Sequence, residues 1–159
     1  MANQSQGLNE DRVACLIGGF IFLLGMAYFW GVDLIGWICK MGMWVGDPMK
    51  CFKAAHKGYM EGWQALICTY VFVTVMLAVG IKLMKGNVFR FIIAFTVVYF
   101  IAICCYVIGA NAYIAANPTQ IAKMGVPWAL GLSTEAGLIV ALIVGIIIGN
   151  LFPGVGEYL

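Results

Sequence analysis

Charged side chains are scarce in this sequence. Of its 159 residues, nine are Lys or Arg and seven are Asp or Glu, so only 10% are charged, while 64% are hydrophobic. A soluble domain carries about 25% charged residues and roughly half apolar ones. An apolar excess of this size cannot be buried in one small core, so we predict an integral membrane protein. The net charge of +2 is too small to indicate nucleic acid as a partner.

Metal-ligating and catalytic residues are also few. The chain has one histidine, His56, and six cysteines without a CxxC pair. Zinc, iron–sulfur and bis-histidine haem sites need more ligands, so we expect no metal and no cofactor. The motifs GxSxG and HExxH, the P-loop and the dinucleotide fingerprint are absent, so we expect no enzymatic activity and no catalytic residue. Cys39 and Cys51 lie in a polar connection and could pair if it faces an oxidising compartment.

Long apolar runs, by contrast, are abundant. About 20 apolar residues cross the ~30 Å of hydrocarbon in a bilayer. The runs predict an all-α integral membrane bundle of about four transmembrane helices, at 13–31, 63–82, 91–114 and 135–152. A basic loop (83–90) joins the second helix to the third, and a longer loop (115–134) joins the third to the fourth. A polar tail (1–12) precedes the first helix, and its lack of a basic region favours a retained helix over a removed signal peptide.

The segment 32–62 has a different pattern. Its apolar residues recur at three-four spacing, which predicts short interfacial amphipathic helices, and Asp47-Pro48 has the form of an N-cap followed by proline at the first helical position. Lysines then line one face of the second helix, where they contact anionic lipid headgroups or form a solvated face; they are Lys50, Lys53 and Lys57. We interpret His56 as a surface or packing residue.

The last apolar run carries a stripe of small residues. They recur every four positions and form a shallow groove along one side of a helix; they are Gly137, Ala141, Gly145 and Gly149. In lipid, such grooves allow helices to approach closely. We therefore predict that this helix packs against a partner, in a homo-oligomer or from another membrane subunit. The run stops at Asn150, and the Pro153-Gly154 pair after it predicts a helix break (153–159).

Four residues are candidates for substrate binding, because they are polar or border the break within an apolar setting: Asn150, Gly149, Glu135 and Asn111. Two of them have a structural alternative. Asn111 can cap a helix or lie at the interface. Glu135 falls in the first turn of the last helix, where the helix dipole favours an anion.

Three stretches of the chain resemble one family. TEAGLIVALIVGIIIGNLFPGVGEYL, GANAYIAANP and LNEDRVACLIGG are similar to the N-terminal part of the longer members of the YeiH-like family of sulfate exporters. The resemblance covers nearly the whole chain. It implies a polytopic transporter of the bacterial inner membrane whose core contains inverted repeats and broken helices, with substrate near the membrane midplane.

The resemblance defines the expected function and its alternative. We expect a membrane-embedded portion of a secondary transporter for an inorganic or small organic anion. Family members continue into further helices, whereas this sequence ends at Leu159. The alternative is therefore a non-catalytic accessory or oligomerisation subunit of a larger membrane complex. In both cases membrane lipids are partners.

Overall fold

The computed structural model describes residues 9–56, 58 and 60–151. Within them the chain is an all-α membrane bundle, as predicted. Its helices are α1 (Glu10–Met26), α2 (Gly62–Leu83), α3 (Val88–Gly109), α4 (Ala112–Ala115), α5 (Pro118–Met124) and α6 (Ala136–Leu151). Short 3-10 turns occupy Ala27–Trp30, Pro48–Cys51 and Ser133–Glu135, and two short strands are β1 (Cys39–Met41) and β2 (Phe52–Ala54). The predicted break at 153–159 lies outside the described residues.

Among the described residues, three helical stretches are long and apolar enough to cross a bilayer: Glu10–Trp30 with 21 residues, and α2 and α3 with 22 each. Only 6–11% of each span is buried within the described chain. Helices that expose apolar side chains on all sides are stable in lipid, not in water. α6 is shorter, with 16 residues up to Leu151, the last described residue; this gives about 24 Å at 1.5 Å per residue.

The long helices pack in chain order, α1 on α2, α2 on α3 and α3 on α6. The short connection between α2 and α3 makes them antiparallel neighbours. Between α1 and α2, a Cβ on Gly80 would meet Val13 and Ile17 at 3.0 Å, so the absence of a side chain permits the approach. Between α2 and α3, the hydroxyls of Tyr70 and Thr96 are 2.6 Å apart.

The segment between α1 and α2 corrects the sequence prediction. Instead of two amphipathic helices, β1 and β2 form an antiparallel hairpin with Lys40 directly opposite Lys53. Asp47 does cap as predicted, accepting from the Met49 amide at 3.0 Å, but the helix that it opens is a single 3-10 turn. Gly46, with a left-handed φ of 76°, interrupts any continuous helix here. The helix prediction is wrong because a hairpin that packs on one side also has apolar residues at regular intervals.

The hairpin is fixed to the N-terminal half of α2. The Cys39 amide donates to Thr69 Oγ1 at 2.9 Å, and that hydroxyl donates to the Ala65 carbonyl at 2.7 Å. A Cβ on Gly62 would overlap the carbonyl oxygen of Phe52, so the two backbones touch. The strands therefore gain their position from α2 as well as from each other.

Candidate functional site

The two polar connections meet at one end of the bundle. We call this the hairpin end; it comprises the described residues of 32–61, between α1 and α2, and of 110–135, between α3 and α6. They are joined by an isolated parallel bridge between Trp44 and Asn111, and Met43 packs against Ala112, Ala116 and Val126. Most of the polar residues singled out in the sequence lie here.

Trp44 closes the junction between α3 and α4. Its amide donates to the Ala110 carbonyl at 3.2 Å, and its carbonyl accepts from the Ala112 amide at 3.0 Å. Its indole Nε1 donates to the Val107 carbonyl at 2.7 Å. These bonds satisfy backbone groups that the end of α3 releases. The predicted third helix, 91–114, is therefore interrupted after Gly109. The three-four spacing of segment 32–62 includes Trp44 as an apolar residue and does not indicate these bonds.

Asn111 has a defined structural role at this junction. Its Oδ1 accepts from the Tyr113 amide at 3.0 Å, which makes it the N-cap of α4. This is the capping alternative that the sequence offered, and a role in binding substrate stays a prediction.

Glu135 lies at the same end, at the start of α6. It is the last residue of the 3-10 turn Ser133–Glu135, and its side chain is exposed. The preceding loop runs back along α4, because the amides of Leu130 and Leu132 donate to the carbonyls of Tyr113 and Ile114 at 2.9 and 3.1 Å.

The small-residue stripe of α6 is divided between two environments. Gly137 is buried against α3, where a Cβ on Gly109 would overlap its backbone. Ala141 is half-buried, whereas Gly145 and Gly149 are exposed and have nothing within 4 Å of an added Cβ. The first part of the stripe thus packs within the chain, and the last part faces outward.

Asn150 lies beside the outward-facing part of the stripe. Its side-chain amide donates to the Ile146 carbonyl at 2.7 Å, one helical turn earlier, and it is exposed. Glu135 and Asn150 are separated by about 22 Å along the helix, at 1.5 Å per residue. The structure therefore does not gather the four candidates into one site: Glu135 and Asn111 lie at the hairpin end, and Gly149 and Asn150 lie far from it.

The predicted lysine row is rearranged by the hairpin. Lys50 is exposed at the end of its 3-10 turn, and Lys53 is exposed on β2, across from Lys40. Lys57 lies outside the described residues. The prediction that the three lysines share a helix face is therefore wrong for Lys53, which shares a strand face with Lys40.

His56 has partners that the sequence did not suggest. Its Nδ1 lies 2.7 Å from Asp33 Oδ2, with the histidine half-exposed, and its ring stacks on Tyr28 with centroids 5.8 Å apart. Asp33 is far from His56 in the chain, and the pairing of the segments on either side of the hairpin brings it close. The contact ties the end of α1 to the hairpin. Since the histidine is open to solvent, the contact contributes at most about 1 kcal/mol.

The cysteines at the hairpin end are free thiols, so Cys39 and Cys51 do not pair in this structure. Burial raises the pKa of both thiols above the ordinary value, and the Lys53 charge opposes this for Cys51. A raised pKa disfavours the reactive thiolate. In residues 9–56, 58 and 60–151, no group of three His, Cys, Asp or Glu side chains is arranged to hold a metal ion.

Comparison with known proteins identifies one relative. A UPF0324 membrane protein from Nitrosomonas europaea is 28% identical over 153 residues, which are 94% of this chain and 31% of that protein. The chain thus spans about a third of the length of this curated relative. No protein-family model matches the chain, and no solved structure is significantly similar to it. Together with the apolar helices, the similarity to this membrane protein identifies the chain as an integral membrane protein.

Proposed function

We propose that the chain is a membrane-embedded portion of a secondary transporter for an inorganic or small organic anion, in the bacterial inner membrane. The observation that carries the proposal is the similarity along almost the whole chain to part of a longer membrane protein. That protein's name states a membrane location and no substrate. The anion comes from the resemblance to YeiH-like sulfate exporters.

The geometry of α6 supports this function. Its Gly145–Gly149 side is bare, exposed and adjacent to the polar Asn150. In transporters with broken helices, substrate lies near the membrane midplane, where discontinuous helices end. A further helix packed on this side would complete a polar, close-packed layer around Asn150.

Transport is tested in proteoliposomes. They contain the chain and any membrane protein that co-purifies with it in mild detergent, and uptake of radiolabelled sulfate is measured. We expect uptake above that of empty vesicles, abolished by Gly145→Leu. Gly18→Leu in α1 is the matched control, because Gly18 is also exposed with nothing within 4 Å, and it should leave uptake unchanged. Uptake equal to that of empty vesicles, or insensitive to Gly145→Leu, would contradict the proposal.

A second candidate is a non-catalytic accessory or oligomerisation subunit. The outward-facing glycines of α6 favour it, because small residues permit close helix–helix contact in lipid without any bound substrate. In this case Gly145→Leu would release a co-purifying membrane protein or a second copy of the chain, and vesicles would show no sulfate uptake. A monomer in mild detergent that retains uptake would exclude this candidate.

A further inference from the structure

The hairpin places two positive charges face to face. Lys40 and Lys53 are directly opposed in the register, and both side chains are exposed. The Cβ atoms of opposed residues lie about 5 Å apart, and like charges in this arrangement destabilise a hairpin. Within the described part of the chain, neither ammonium group has a carboxylate within 4 Å. The pair therefore costs stability unless an anion lies between the two groups.

A cavity opens beside this pair. Its volume is about 460 Å³, and it lies between the hairpin and the start of α2; its lining includes Lys40, Lys53, His56, Met60 and Gly62. The Lys53 chain runs over Gly42, where an added Cβ would lie 3.4 Å from its Cδ, Cε and Nζ atoms. Because Gly42 has no side chain, the Lys53 ammonium can lie close to the strand.

The carboxylates of this segment are engaged elsewhere. Asp33 is bonded to His56, and Asp47 caps its 3-10 turn. Glu61 caps α2 together with Gln64 and accepts from the Trp63 indole at 3.2 Å. No acidic residue is among the described residues that line the cavity. The local field at the lysine pair thus favours an anion from outside the chain.

The cavity lies near the level of lipid headgroups. Exposed aromatic residues of the type that mark membrane interfaces surround this end of the bundle; they are Tyr28, Phe29, Trp30 and Trp63. A phosphate group of an anionic lipid would be found at this depth. A dissolved tetrahedral oxyanion would reach the same cavity from the water.

We propose that Lys40 and Lys53 bind a tetrahedral oxyanion in this cavity, carried by a lipid headgroup as phosphate or free as inorganic phosphate or sulfate. Two ammonium groups donate charge-assisted hydrogen bonds to its oxygens, and the anion removes their mutual repulsion. Lys50 does not line the cavity and takes no part. The site is independent of the proposed transport, and its test measures binding without any flux.

Binding is measured with the delipidated 159-residue chain in a neutral detergent. Isothermal calorimetry with inorganic phosphate and sulfate reports the free ions. Thermal melting with added phosphatidylglycerol, compared with phosphatidylcholine, reports the headgroup. We expect binding or stabilisation in at least one arm, and the arm that responds identifies the source of the anion.

Two double variants make the test specific. Lys40→Gln with Lys53→Gln should weaken binding about tenfold or more, the equivalent of losing at least ~1.4 kcal/mol of charge-assisted bonding. It should melt no lower than the wild type without ligand, because the like-charge repulsion is gone. Lys50→Gln with Lys82→Gln removes the same charge from exposed positions off the cavity and should bind normally. No response in either arm, or equal weakening in both variants, would overturn the proposal.

Discussion

Gly109 of α3 and Gly137 of α6 meet backbone to backbone where the two helices cross. A Cβ on Gly109 would overlap the backbone of Gly137, and a Cβ on Gly137 would lie 2.6 Å from Cδ1 of Tyr106. The neighbouring Ala136 is 1% exposed. Lipid does not drive apolar helices together, so contact this close is a main source of their association.

Alanine at Gly109 should separate these helices. The added methyl group has no free space, and overpacking of this kind costs about 1–3 kcal/mol. We expect a lower melting temperature, which circular dichroism in detergent measures. Gly145→Ala is the matched control: its Cβ meets open space, and the gain in helix propensity of up to ~1 kcal/mol should leave melting unchanged or slightly raised. Equal shifts in the two variants would contradict the crossing.

Alanine at Gly62 should loosen the hairpin from α2. The new Cβ would occupy the position of the Phe52 carbonyl oxygen, so the strand must move. The amides of Gly42 and Ala55, which donate across the hairpin at 2.7 and 2.9 Å, should exchange their hydrogens faster. Hydrogen exchange read by mass spectrometry measures this. Gly18→Ala serves as the control, and protection that survives Gly62→Ala would refute the close contact.

Trp44→Phe should weaken the closure of α3. The variant keeps an aromatic ring but loses the bond from the indole N–H to the Val107 carbonyl. If α3 continued, the Asn111 amide would donate to the Val107 carbonyl. In the structure it donates to the Ile108 carbonyl instead. We expect a loss of about 1 kcal/mol in the free energy of unfolding, measured with denaturant.

Trp37→Phe is the control for that experiment. The Trp37 indole donates at 2.7 Å to the Leu34 carbonyl, only three residues away and exposed to solvent. Water can replace this bond, so the loss should be smaller. A Trp37 variant that is as unstable as the Trp44 variant would show that the junction has no special role.

The thiols of Cys39 and Cys51 predict a pH dependence of stability. Burial raises the pKa of Cys39 and Cys51 above the ordinary value of 9.0. Their contribution to the free energy of unfolding is fully present below pH 9.0. It is lost as the pH rises through the higher pKa values of the folded state, because the thiols of the unfolded chain ionise first. Above pH 9, the wild type should therefore lose melting temperature more steeply than a variant with Cys39→Ser and Cys51→Ser. Below pH 8 the melting temperatures of the two proteins should change with pH in parallel. If they change in parallel above pH 9 as well, the pKa values of the two thiols are not raised.

The membrane helices were predictable because length and apolarity alone define them. The predicted helix 63–82 corresponds to α2 at Gly62–Leu83. The third ends earlier than predicted, at Gly109, because Trp44 supplies partners to the backbone of the junction. Trp44 is distant from this junction in the chain, so no local sequence pattern could reveal these hydrogen bonds.

The hairpin was harder to predict for a physical reason. Each strand has one exposed lysine between two half-buried residues, the period of two that marks a strand. Three residues are too few to distinguish this period from helical spacing. The register is set by contacts with Thr69 and Gly62 of α2, which the sequence does not show. The Lys40–Lys53 pair and the Asp33–His56 pair follow from that register and were missed with it.

The hairpin has one further mechanical consequence. It is bonded to α2 through Cys39 and Thr69 and to α3 through Trp44 and Val107. A change in the angle between these two helices would stretch one of those bonds or bend the short strip between them. The hairpin therefore braces α2 against α3 at this end of the bundle and opposes any change in the angle between them.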